Sequence, residues 1–166
     1  SSFHFYPDYF EFYSLLKQHR KEPATKTIVP HLTKPKSDQR RPPNVNTKPD
    51  PQARILIDVR EPAELKGTGV IPSAVCIPLA SQGDALYLTP DEFETRFGFP
   101  KPDPAESEGE PAQMVFYCKA GVRAKAAAQM AVQAGYDPAN VGVYMGSWLD
   151  WERHGGKVEK WEGDDF

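Results

Sequence analysis

The chain has 166 residues, 39% of them hydrophobic and 26% charged, with a net charge of −3. This is the profile of one ordinary globular domain, and it excludes the basic field of a nucleic-acid binder as well as the run of about 20 apolar residues that a membrane span requires. Two cysteines, Cys76 and Cys118, are too few for a disulfide framework, and the scattered His4, His19, His31 and His154 show no metal-ligand spacing with them. A reducing compartment is expected. The first residue is Ser1 rather than methionine, which fits removal of a targeting segment.

In chain order, DYFEFYSLLKQH (8–19) is expected to be helical. Tyr9, Phe12, Leu15 and Leu16 recur at helical spacing, and Asp8 can cap the start. Residues 21–51 hold seven prolines and seven Lys or Arg, and residues 100–111 hold four prolines and four acids. Such segments bury too little apolar surface to offset their ordering entropy, so both are expected to be extended loops. The first is long enough to be a linker, a flap or a partner-docking arm. ARILIDVR (53–60) carries a continuous apolar run, the pattern of a strand covered on both faces. A second strand is expected over AVCIPL (74–79), and a helix over 89–98 from its Thr89 cap to Gly98. MVFYC (114–118) is a third strand and NVGVYM (140–145) a fourth. A helix at 122–134 has Lys125, Gln129 and Gln133 as its polar stripe and small alanines elsewhere, and a short helix spans 147–156. Alternation of this kind predicts an α/β fold with a mainly parallel central sheet of four to five strands flanked by helices. Ligands of such sheets bind beyond the carboxyl ends of the strands. Asp58 to Arg60 fall there after one strand, and Cys118 after another.

The loop CKAGVR (118–123) joins a strand to a helix N-terminus, where unpaired N–H groups favour anions. A cysteine so placed, beside Lys119 and before Arg123, is expected to be largely thiolate. Gly121 suits a loop that curls its amides inward. A cation in the first helical turn opposes the helix dipole, so Arg123 implies something negative in front of it. Cys76 lies inside an apolar strand, and the reading for it is a buried, inert thiol.

Three stretches, DVREPAE (58–64), CKAGVR (118–123) and YMGSWLDW (144–151), together resemble the single-domain rhodaneses, a family of sulfurtransferases. The resemblance covers about residues 50–156 of a chain read as one domain, 1–166, and implies a three-layer fold. GVIPSAVCIPL departs from the family pattern in having Val70 where histidine is common, and the 21–51 segment is longer than usual. The resemblance implies a thiosulfate-type sulfurtransferase needing no metal and no cofactor. Cys118 would carry a persulfide, with Arg123 as its catalytic partner. Lys119, Ala120, Gly121, Val122, Asp58, Arg60 and Trp148 would form the substrate site. The partners would be a small anionic sulfur donor and an acceptor: cyanide, a thiol such as glutathione, or a protein such as a thioredoxin-like dithiol. Glu64 completes the D-x-R-x-x-x-E pattern; its structural reading is an ion pair with Arg60. The alternatives are a sulfur-relay carrier for a protein partner and a non-enzymatic module on the same scaffold. Cys118 and Arg123 enclose four residues, fewer than the five of cysteine phosphatases of related architecture, which disfavours phosphatase or arsenate reductase chemistry. The resemblance is to eukaryotic members, many mitochondrial, so a mitochondrial location is expected, with the cytoplasm as the alternative.

Overall fold

A computed structural model describes residues 3–18, 43–44, 54–102 and 113–163. Most of both proline-rich segments lies outside these residues. Five strands, β1 (His4–Tyr6), β2 (Arg54–Asp58), β3 (Val75–Cys76), β4 (Gln113–Tyr117) and β5 (Val141–Tyr144), form one sheet in the order β1-β5-β4-β2-β3. Every pairing is parallel. Five α-helices lie on its two faces: α1 (Tyr9–Lys17), α2 (Pro62–Thr68), α3 (Pro90–Phe97), α4 (Val122–Gln133) and α5 (Ser147–Arg153).

Successive side chains of a strand point to opposite faces, so each apolar run supplies two cores. Ile57, Phe116 and Val143 pack with Phe93, Phe97 and the alanines of α4 on one face. Leu56, Val115 and Tyr144 pack with Phe12, Leu65, Trp148 and Trp151 of α1, α2 and α5 on the other. The sheet is therefore the middle of three layers, as expected, and runs of apolar residues without alternation are what such a strand needs. In α4, Ala124, Ala127, Ala128 and Ala131 are buried; without bulk beyond Cβ they let the helix lie close to β4 and β5. The expected caps are present: Asp8 Oδ1 accepts the Glu11 N–H at 3.0 Å, and Thr89 Oγ1 accepts that of Glu92 at 3.3 Å.

Boundaries differ at the ends. The strand expected at 74–79 narrows to Val75–Cys76, followed by one more ladder bond from Ile77 N–H to the Asp58 carbonyl; Pro78 has no N–H with which to continue it. The final helix stops at Arg153 rather than 156. One strand and one α-helix are additional: the three-residue β1 at the sheet edge, and α2, which begins with Pro62 and is closed by the Glu64 carboxylate accepting the Glu61 N–H at 2.9 Å.

One residue of the 21–51 segment is not a solvated loop. Asn44 is only 6% exposed. Its Oδ1 accepts the N–H of Cys76 in β3, and its Nδ2 donates to the Phe97 carbonyl at the end of α3, each at 2.6 Å. It ties an edge strand to a helix on one face.

Candidate active site

The carboxyl end of β4 places Cys118 where the sheet opens toward the N-terminus of α4. Cys118 is 1% exposed. Its Sγ accepts the N–H of Gly121 at 3.0 Å and that of Ala124 at 3.4 Å. The curl that aims these amides needs Gly121 at φ +101°, and a Cβ there would meet the Met145 carbonyl oxygen at 2.5 Å. Only glycine fits both demands. Lys119, Ala120 and Val122 stand exposed around the buried sulfur.

Arg123 answers its own puzzle. The negative group in front of it is Glu64 of α2, which takes Nη1 at 2.8 Å on Oε2 and Nη2 at 2.9 Å on Oε1. Arg60 does not pair with Glu64 as the four-residue spacing suggested; Glu64 is taken by Arg123, and Arg60 turns back onto Asp58. The Asp58 carboxylate accepts Nε at 3.0 Å and Nη2 at 2.8 Å. Both residues are buried, at 0% and 1% exposure. The guanidinium also donates to Thr68 Oγ1 and to the Gly69 carbonyl. Trp148 covers it, ring to cation at 4.9 Å, and is itself buried with its indole N–H donating to Glu152. Trp148 therefore closes over the Asp58–Arg60 pair.

Buried Tyr117 accepts the Ile71 N–H beside this pair, and burial, reinforced by Asp58, pushes its hydroxyl well above the usual range. Burial likewise pushes the Cys76 thiol up. The Glu64 carboxyl is held down to about 2, first by the hydrogen bond from Arg123 and then by the Glu61 amide. A depressed folded-state value gives stability above the ordinary carboxyl range that is lost as pH falls toward 2. The pair is about a third exposed (38% and 34%), and solvent screening holds its contribution to about 1 kcal/mol. Glu64→Gln should therefore lower the urea stability by about 1 kcal/mol at pH 7 and by progressively less as pH falls through about 2; a loss that does not shrink toward low pH would contradict the assignment.

Sequence reading missed Ser147, whose Oγ accepts the Cys118 N–H at 3.1 Å and lies 3.9 Å from Sγ. It sits 29 positions from the cysteine, and only the G-S-W stretch of the family pattern touches it. Among the described residues no group of three or more His, Cys, Asp or Glu converges to hold a metal, and no helix is long and apolar enough to cross a membrane.

A sulfur held by two loop amides at the mouth of a parallel, doubly covered sheet is the arrangement of a sulfur-handling α/β domain. The chain belongs to the rhodanese-like domain family, whose model matches residues 44–154. It is 41% identical over 109 residues to a thiosulfate:glutathione sulfurtransferase of Saccharomyces cerevisiae, covering 66% of this chain and 71% of that protein. It is 41% identical over 103 residues to the mitochondrial thiosulfate sulfurtransferase RDL2 of the same yeast, covering 62% of this chain and 63% of RDL2, a little under two thirds of its length. The crystal structure of RDL2 superposes with a TM-score of 0.54 at 38% identity, covering 62% of this chain and 76% of that one. The expected three-layer fold and the expected class, a rhodanese-type transferase, both hold.

Proposed function

We propose that the chain moves a sulfane sulfur from thiosulfate, or a donor like it, to a thiophilic acceptor through a persulfide on Cys118. The Cys118 thiolate attacks the outer sulfur of the donor. The S–S bond of thiosulfate breaks, sulfite leaves with its electron pair, and a new S–S bond joins Cys118 to the transferred sulfur. An acceptor thiolate then attacks that outer sulfur, becomes the persulfide, and restores the Cys118 thiolate; cyanide in the same role leaves as thiocyanate. The observation that carries this reading is the pair of amides, from Gly121 and Ala124, directed at Sγ. Preorganised donors of this kind stabilise charge where it develops and cost no reorganisation at the moment of reaction.

Lys119 is the exposed cation of the loop and draws in the anionic donor. Arg123, engaged by Glu64, pins the loop to α2 and adds its field. Asp58, Arg60 and Trp148 frame the site from beneath. Glutathione is the acceptor named for the yeast relative. A mitochondrial location is supported by the name of RDL2.

Intact mass after incubation with thiosulfate tests the proposal. A gain of about 32 Da, one sulfur, is expected, and it should discharge with glutathione or cyanide in steady-state turnover. No gain overturns the persulfide; a gain without turnover would instead favour a relay carrier. Gly121→Ala should cut the rate of loading at least tenfold, because its Cβ must displace the Met145 carbonyl and with it the amides of the loop. Loading at the wild-type rate would show that the curl at Gly121 is dispensable.

A further inference from the structure

Ser147 has φ +58°, in the left-handed region that L-residues other than glycine enter at a cost in strain. Glycine would meet the same backbone demand freely. Strain of this kind persists only where the surroundings over-determine it, and it gathers at functional positions. What serine supplies is a hydroxyl that is fully buried and aimed at the nucleophile.

That hydroxyl accepts the Cys118 N–H at 3.1 Å and donates to the Tyr144 carbonyl at 2.8 Å. The next two amides continue the grip: Trp148 N–H donates to the Cys118 carbonyl at 2.9 Å and Leu149 N–H to the Lys119 carbonyl at 3.1 Å. Three consecutive residues at the start of α5 thus hold the backbone of Cys118 on both sides. A trans peptide sets its C=O and the following N–H in opposite directions. With both carbonyls drawn to α5, the N–H groups of Lys119 and Ala120 turn away from that helix and are left for a sulfur carried on Cys118. Oγ is also 3.9 Å from Sγ, at the outer reach of a sulfur hydrogen bond, so a rotation of its O–H from the Tyr144 carbonyl adds a third donor when the sulfur is ionised.

We propose that Ser147 is a positioning residue for sulfur transfer: its strained backbone and buried hydroxyl fix the Cys118 amide, orient the loop and supply a donor to the charged sulfur. The inference rests on the persulfide reading of Cys118.

Two variants separate hydroxyl from backbone. Ser147→Gly removes the hydroxyl and relieves the strain; Ser147→Ala removes the hydroxyl and keeps it. The pH profile of Cys118 alkylation by iodoacetamide, located by peptide mapping, should shift upward by about half a unit to one unit in both. Thiosulfate kcat should fall about tenfold with KM little changed, while the Tm of Ser147→Gly falls less than that of Ser147→Ala, which keeps the strain. A wild-type profile and kcat in Ser147→Gly would overturn the proposal, and Ser147→Ala decides it if the glycine variant does not fold. Alkylation needs no sulfur donor. A wild-type chain that gains no 32 Da would sink the persulfide reading, and the alkylation profiles would still decide whether Ser147 governs the thiol.

Discussion

Cys118→Ser should take up no sulfur from thiosulfate, while Cys76→Ser loads like the wild type. A serine hydroxyl in the same cradle is not ionised near neutrality and is a far poorer nucleophile toward sulfur, so turnover should fall by at least about 10⁴. Cys76 cannot substitute. Its thiol is pushed up by burial, and it points into the core of the opposite face of the sheet from Cys118. Asp58 pairs in register with both Tyr117 and Cys76, which puts Cys76 two strands from β4. At about 4.8 Å per strand that is roughly 10 Å, beyond the span of a disulfide. Mass spectrometry after peroxide should find no 76–118 bridge. Sulfur on Cys118→Ser, or such a bridge, would require a different nucleophile or a different sheet.

Arg60→Met carries the largest expected cost in stability. It leaves the Asp58 carboxylate at 0% exposure without the guanidinium that satisfies both its oxygens, and it strips Trp148 of the cation beneath its ring. Breaking a buried pair by removing one member costs about 3–5 kcal/mol, whereas replacing both members by apolar groups of like volume is often near neutral. Urea unfolding of Arg60→Met should show that loss, and the double variant Asp58→Leu/Arg60→Met should recover most of it. A single-variant loss below about 1 kcal/mol would mean that solvent reaches Asp58.

How much of this was legible in the sequence depends on whether the interacting residues are neighbours in the chain. Ile55 to Ile57 and Val115 to Tyr117 announce covered strands because burial on both faces abolishes alternation. The Cys118 loop is contiguous, so its glycine and helix start can be read together. The ion pair that holds Arg123 joins positions 59 apart, and nothing local marks Glu64 as its partner; spacing favoured Arg60 instead, which geometry gives to Asp58. The seven-residue α2 is under two turns, too short for a periodic signal, and β1 is shorter still. The positive φ of Ser147 leaves no compositional trace, since the residue that usually signals it is glycine.

Asn44 has a further consequence. A parallel sheet with five strands has two edge strands, and the edge at β3 carries an outward backbone amide at Cys76. An unpaired amide there is a template on which another chain can lay a strand. The Asn44 carboxamide oxygen fills that position as a backbone carbonyl of a sixth strand would, so the growth point is sealed from within. Loss of that one side chain would leave an adhesive border on an otherwise folded molecule, and the first sign would be self-association and fibril-like precipitation at high concentration rather than a drop in sulfur transfer.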